Sequence, residues 1–303
     1  MTVSLKIAAV FATMNRENTA LACVHALALQ TRPPDLVVVA DNVSSDTTVS
    51  TLRALYNLPF ELRVINMGEN LGNAGGVEAA MELAFQNKVD AVWILDDDSL
   101  PCPSALAALL DGAWNPEVVR HALQIDPRSK RLTWPQWIPN GGAWKLVHSP
   151  DELPEAATFP SRSSWTGALI SKEVRNRVGP VNGELFIRGE DEEYPWRIGR
   201  AGFCFECVRG AVLNHPGPGN LVHWELFGRN FFIERHLVDW KLYYKIRNMV
   251  WLKRQQAGKP AAIITAAAYA MALFRIEGSH RLGLIYRASV DGWRGKLGRW
   301  KDH

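Results

Sequence analysis

The 303-residue chain is 47% apolar and 21% charged with a formal net charge of +3. That composition supplies the core of one large α/β domain, or of one domain with an appendage, and excludes a disordered chain. So small a net charge is no nucleic-acid footprint, and no nucleic-acid partner is expected; the basic residues gather late, between Lys241 and Lys301, where an anionic surface would suit them.

Residues 5–12 read as a first strand, not as the basic-then-apolar order of a signal peptide. Thr13-Met14-Asn15-Arg16 leave it, and Leu21, Val24, Leu27 and Ala28 then share one helical face until Pro33-Pro34. Leu36 to Ala40 is apolar on both faces, as a buried parallel strand should be, and ends in Asp41-Asn42 with Ser44 and Asp46. A helix through Leu52 and Leu55 leads to a third strand, Leu62 to Ile65. A polar, Gly-rich loop is expected over 66–76 and a helix over 77–86. The glycines do not spell a dinucleotide fingerprint; they suit either a turn into a helix or a backbone that approaches a ligand closely.

The fourth strand, Val92-Trp93-Ile94-Leu95, ends in Asp96-Asp97-Asp98. Three adjacent carboxylates repel one another, and oxygen ligands at the carboxyl end of a buried strand suit Mg²⁺ or Mn²⁺. The alternative is an acidic turn before Pro101 and Pro103. Four strands joined by short helical crossovers predict a parallel sheet, which places all four polar clusters on one edge.

Beyond a helix at 104–110, residues 111–160 lose periodicity and carry Trp114, Trp134, Trp137 and Trp144. These tryptophans suit an acceptor groove or satellite packing equally well. Strand character returns over 163–170, around Trp165-Thr166-Gly167, and over 203–213, before His215. Between them lies a second acidic cluster, Glu190-Asp191-Glu192-Glu193. Cys204 and Cys207 sit three apart on a strand and so face opposite sides, which argues against a shared metal or redox pair. Four cysteines in this length suggest no disulfide framework, and a reduced, cytoplasmic protein is expected. A basic helix is expected over 243–253. The most apolar later stretch, 261–274, falls short of a bilayer span and reads as a packed helix, with a membrane-surface helix as the alternative.

Taken together, Thr13–Arg16, Asp41-Asn42, Asn70–Gly76, Asp96–Asp98, Trp165–Gly167, Glu190–Tyr194 with Arg197, and His215 resemble the family-2 glycosyltransferases of GT-A fold. The likeness is strongest to the galactofuranosyl- and rhamnosyltransferase branch, and Tyr243–Asn248 resembles a segment after that family's core. Coverage is nearly the whole chain, weakest over 111–160. The resemblance implies a mostly parallel sheet flanked by helices, with a nucleotide-binding half over 1–110, an acceptor-binding half over 111–240 and a basic helical extension over 241–303. It implies inverting transfer of galactofuranose or rhamnose, from a UDP- or dTDP-linked donor to a glycan or lipid-linked glycan. The basic carboxyl-terminal region and the 261–274 helix in turn suggest peripheral contact with the cytoplasmic face of the membrane.

By the same resemblance, Thr13, Asn15, Arg16, Asp41, Asn70, Gly72, Gly75, Gly76 and Asp97 hold the donor. Asp96, Asp98 and His215 hold Mn²⁺ or Mg²⁺, and Asp191 is the base, its acidic neighbours favouring a raised pKa. Trp165, Thr166, Glu190 and Glu192 line the acceptor side. His215 also reads as a satisfied turn histidine, and Asp191 as part of an acidic helix start. The family often has two adjacent aspartates where this chain has Glu190-Asp191. A sugar-phosphate nucleotidyltransferase would carry a glycine- and basic-rich loop after the first strand, which 14–18 lacks; a non-catalytic carbohydrate-binding protein would not need both acidic clusters.

Overall fold

The computed structural model describes residues 5–162, 164–218, 221–226 and 229–300. The chain divides into two compact units, Met1–Val181 with Tyr194–Gly217, and Asn182–Glu193 with Pro218–His303.

The first unit opens β1 (Ile7–Thr13), α1 (Glu17–Ala28), β2 (Leu36–Asp41), α2 (Thr48–Arg53), β3 (Glu61–Asn66), α3 (Gly72–Gln86) and β4 (Ala91–Ile94). It continues with β5 (Leu100–Pro101), α4 (Ala105–Leu110), β6 (Val118–Ile125), β7 (Gln136–Asn140), β8 (Ala143–Val147), β9 (Thr158–Ser161), β10 (Ala168–Ser171) and α5 (Lys172–Val178). α6 (Glu190–Arg200) enters this unit at Tyr194 and is followed by β11 (Cys204–Asn214).

The main sheet runs β3-β2-β1-β4-β10-β6-β11-β5, with β9 also on β11. The four crossover strands are parallel, β10 runs antiparallel to both neighbours, and β6 and β11 are parallel again. β1 and β2 are buried at every position, matching their unbroken apolar sequence. Their faces and Trp93, Leu169 and Leu213 pack with α1 and α4 into one core.

Register explains why the polar clusters share an edge. Thr13 lies opposite Asp41, and Asp41 opposite Asn66. Ile94 lies opposite Val10, so three residues further along each chain Asp97 arrives beside Thr13.

Three expectations change. α3 starts at Gly72, so the glycines form its first turns instead of a loop. A Cβ on Gly75 would sit 2.6 Å from the Leu71 Cβ; one on Gly76 would sit 2.7 Å from the Ala12 Cβ and 2.9 Å from Asn42 Nδ2. Gly76 thus allows α3 to pack closely on β1, and Gly75 leaves room for the Leu71 side chain at the entry to the helix. Residues 111–160 are not structureless: β6 enters the main sheet, and β7–β8 is a hairpin over a small core of Leu132, Ile138, Val147 and Phe159. β10 begins only at Ala168, because Gly167 turns the chain with φ +85°.

In the second unit, Asn182 caps a 3₁₀ turn (Gly183–Leu185). β12 (Leu221–Leu226) and β13 (Arg229–Glu234) pair antiparallel, and α7 (Asp239–Glu277) and α8 (Leu282–Arg294) follow. Ala257 and Gly258 are non-helical, so α7 is two helices in tandem, and Pro260 sits in the first turn of the second, where its missing N–H costs nothing. By length and composition α7 holds an 18-residue window, of mean hydropathy 1.3, apolar enough to cross a bilayer and 39% buried in the protein. The sequence reading found no such stretch because it required an uninterrupted apolar run.

Candidate active site

The triple acid is folded back on itself. Asp96 N–H donates to Ser99 Oγ (3.3 Å) and Ser99 N–H to the Asp96 carbonyl (3.0 Å), making a tight turn into β5. β5 then pairs Leu100 with Asn214 and Pro101 with Leu213. That two-residue pairing brings the end of β11, and with it His215, back to the acids. Thr133 Oγ1 donates to the His215 carbonyl (2.7 Å) and His215 N–H to that of Ile125 (3.0 Å), fixing the backbone. His215 Nδ1 is 3.3 Å from Asp98 Oδ1, and Nε2 is 3.8 Å from Asp96 Oδ2. One ligand atom from each of the three lies within 4.8 Å of the others.

Two carboxylate oxygens and an imidazole nitrogen suit a first-row divalent cation, Mn²⁺ better than Mg²⁺. The fit is supported by His215 Nδ1, which is buried, lies 3.3 Å from Asp98 Oδ1 and meets no well-aligned hydrogen-bond partner among the described residues. The remaining groups orient the acids. Thr166 Oγ1 donates to Asp96 Oδ2 (2.7 Å), and Gln124 Nε2 to the Thr166 carbonyl (3.0 Å). The Gly167 turn that presents Thr166 is tight, since a Cβ there would sit 2.9 Å from Leu213 Cδ1.

The charges are strongly coupled. Burial pushes Asp97 up to about 6, against the opposing pull of Arg16 and the Thr13 hydroxyl. Burial acts the same way on Asp98, but His215 and Arg16 outweigh it and hold that carboxyl at about 2. Burial raises Asp96 despite His215 and Thr166. For His215, burial disfavours the cation, yet Asp98 and Asp96 together raise its pKa. Arg16 reaches Asp97 (3.3 Å) and Asp98 (2.8 Å), and Thr13 Oγ1 donates to Asp97 Oδ2 (2.8 Å).

The neighbouring strand ends supply a second set of groups. Asn15, with φ 53°, accepts from Ser45 N–H (2.7 Å) and donates its own N–H to Ser44 Oγ (2.8 Å). Asp41 Oδ2 accepts from Ser44 N–H (2.9 Å), while Oδ1 is buried with no hydrogen-bond partner among the described residues. Asn70 Oδ1 accepts from Gly72 N–H (2.9 Å), and Asn42 holds Leu71 N–H and the Gly72 carbonyl. Gly72, Gly75 and Gly76 are buried. Trp165 is 5% exposed, its indole edge-on to Tyr194 at 6.1 Å.

In the second unit, Asp191 Oδ1 accepts from Gly189 N–H (3.0 Å) at the start of α6. Glu190 is buried, and Glu192 pairs with Lys253 (3.2 Å).

The first unit thus brings together Thr13, Arg16, Asp41, Asp96, Asp97, Asp98, Thr166 and His215, with Asn15 and Asn70 on adjoining turns. The sequence reading missed Gln124, Thr133 and Ser99. Ser99 directly follows the acids and was legible as a turn residue; Gln124 and Thr133 lie in the stretch without periodicity and carried no signal.

Residues 9–158 match the profile described as Glycosyl transferase family 2. The chain is 29% identical over 231 residues to the galactofuranosyltransferase GlfT1 of Mycolicibacterium smegmatis, covering 71% of this chain and 72% of that protein. It is 32% identical over 217 residues to GlfT1 of Mycobacterium tuberculosis, covering 69% of each. Among solved structures it resembles GalNAc-T7 with UDP, GalNAc and Mn²⁺ (TM-score 0.56, 16% identity, 92% of this chain but only 58% of that one). It also resembles the mannosyltransferase PcManGT of Pyrobaculum calidifontis with GDP-Man and Mn²⁺ (TM-score 0.57, 16% identity, 97% and 89%). The sheet order, the acids at its edge and these relatives agree: the chain is a glycosyltransferase of GT-A fold and belongs to glycosyl transferase family 2.

Proposed function

We propose that this glycosyltransferase is a metal-dependent, inverting enzyme that transfers galactofuranose from UDP-galactofuranose to a hydroxyl of a glycan or lipid-linked glycan. The observation that carries the metal and donor reading is the Asp96, Asp98 and His215 cluster at the sheet edge, beside Thr13, Arg16 and the open acceptor atom of Asp41. The relatives named galactofuranosyltransferase favour that sugar over rhamnose.

In this reading Asp96, Asp98 and His215 hold Mn²⁺ or Mg²⁺, which supplies the charge stabilisation that a departing nucleoside diphosphate needs. Thr13 and Thr166 fix Asp97 and Asp96, so that the acids do not reorganise as charge develops. Arg16 adds a cation at the same place. Asp41 Oδ1 accepts from the base or ribose, Asn15 helps hold the nucleotide, and Asn70 with the Gly72, Gly75 and Gly76 turn borders the nucleotide sugar. Asp191 takes the proton of the acceptor hydroxyl as its oxygen bonds to the anomeric carbon and the diphosphate leaves with the bonding electrons. Attack from the face opposite the leaving group inverts the centre. Trp165, Thr166, Glu190 and Glu192 serve the acceptor side.

The division of labour we propose is a nucleotide-binding half over 1–110, an acceptor-binding half over 111–240 and a helical extension over 241–303. Contact of that extension with the cytoplasmic face of the membrane is supported by exposed Ile263, Met271, Phe274, Leu282 and Tyr286, with exposed Lys259, Arg275 and Arg287 among them.

The test is a panel of nucleotide sugars, UDP-galactofuranose and dTDP-rhamnose included, assayed for hydrolysis and transfer with Mn²⁺, Mg²⁺ or EDTA. UDP-galactofuranose turnover that EDTA abolishes, with an inverted product, is the expected result. Turnover of dTDP-rhamnose alone overturns the sugar, and full activity in EDTA overturns the metal.

A further inference from the structure

Asp191 stands at the end of a segment that the chain would not hold by itself. Phe186 (φ 65°) and Arg188 (φ 65°) are non-glycine residues with positive φ, and Gly189 has φ 137°. Such a backbone persists only where its surroundings over-determine it. Here the surroundings are two adjacent side chains of α7. Asn248 is fully buried and its Nδ2 faces three carbonyls in turn, those of Leu185 (2.9 Å), Ile187 (3.0 Å) and Arg188 (2.7 Å). Arg247, 1% exposed, donates to the carbonyls of Leu185 (3.1 Å) and Glu184 (3.3 Å) and, through Nε, to Asn248 Oδ1 (2.8 Å).

The contact is close as well as polar. A Cβ on Gly189 would lie 2.9 Å from the Asn248 Cβ. Phe186 stacks on Tyr244 with ring centroids 4.8 Å apart, and Arg188 pairs with Glu234, which also takes Lys245 (2.9 Å). Gly189 N–H in turn donates to Asp191 Oδ1. An unbroken chain of contacts therefore runs from Arg247 through Asn248 and Gly189 to the Asp191 carboxylate.

We propose that Arg247 and Asn248 are positioning residues for the transfer step: they lock the 185–189 backbone and so fix the direction of the Asp191 carboxylate. A helix amide and guanidinium replace the water that would otherwise solvate these carbonyls, in five contacts made by two side chains of one helix. The role rests on Asp191 as the base, and it needs neither residue to touch donor or acceptor.

The test is a double-mutant cycle on the full chain, using UDP-galactofuranose and Mn²⁺ with UDP release by donor hydrolysis as the readout. Asn248→Asp keeps the shape but turns a double donor into an acceptor. It is expected to lower kcat about 100-fold with the KM for donor within twofold, and to cost under threefold when added to Asp191→Asn. Arg247→Lys, which retains the charge, recovers part of what Arg247→Ala loses. Amide exchange over 185–193 quickens in Asn248→Asp while that of β1 and β4 does not. Gly189→Ala strikes the contact from its other side and is expected to behave as Asn248→Asp does, which covers the case of a poorly folding Asn248 variant. A drop in kcat that adds in full to that of Asp191→Asn makes the role structural and overturns the proposal, as does unchanged exchange over 185–193. If Asp191→Asn itself is fully active, the base reading fails, and the exchange result still decides whether the clamp exists.

Discussion

The chain carries two clusters of acids, and they are held in opposite ways. Asp96, Asp97 and Asp98 follow a buried parallel strand and are set by four side chains from elsewhere in the chain: Thr13, Arg16, Thr166 and His215. Their charges are met by cations within reach of the carboxylates themselves. Glu190 to Glu193 open a helix behind a stretch of unfavourable backbone, and its carbonyls, more than its carboxylates, are what the buried Arg247 and Asn248 address. One site is organised to gather charge, the other to fix a direction. The first should fail by losing a ligand, the second by losing orientation.

The largest expected effect is at the first cluster. Asp98→Ala should remove Mn²⁺-dependent UDP binding measured by calorimetry and cut turnover by ~10³-fold or more, the scale of several kcal/mol of charge stabilisation. Asp191→Asn should slow transfer by about 10²–10⁴-fold, the range of a lost general base, yet leave UDP binding with Mn²⁺ within twofold. If it weakens UDP binding as strongly as Asp98→Ala, the two clusters do not differ in kind. Thr166→Val, which strips one hydrogen bond from Asp96, should weaken Mn²⁺ by roughly 10–100-fold, as losses of an orienting partner do.

The smallest effect concerns the scaffold. His121 is fully buried in β6, 2.6 Å from Ser161 Oγ, and burial pushes its pKa down to about 4. Because the folded state resists protonation, its contribution is whole above about pH 6.5 and drains away as pH falls towards 4. Between pH 6.5 and 5 the loss should be about 2 kcal/mol, read from urea midpoints. His121→Gln should flatten that slope; an unchanged slope would place the titrating group elsewhere.

Much of the first half was legible in sequence because its strands are unbroken apolar runs that stop at polar residues. Runs so short and so rich in β-branched residues fit buried strands better than helices, and a polar cluster after each marks the sheet edge. The triple acid and His215 were legible as residue types, but their meeting was not. It depends on two backbone pairings between Leu100-Pro101 and Leu213-Asn214, too short to leave a pattern. β7, β8 and β9 were missed because they are four or five residues long, each interrupted or flanked by proline, glycine or charge. The segment before Asp191 was opaque for a different reason: positive φ at Phe186 and Arg188 is imposed from α7, some sixty residues later.

The break at Ala257-Gly258 has a consequence for how this helix tolerates change. In one continuous α-helix each inserted residue would turn everything beyond it by about 100°. The direction faced by Ile263, Met271 and Phe274 would then be geared to the direction faced by Arg247 and Asn248. With two non-helical residues between them the gearing is disengaged. A residue gained or lost at that joint need not rotate the pair that grips the segment before Asp191; the distal half takes its own seat from what it buries, Ala262, Ala268 and Leu273 among it.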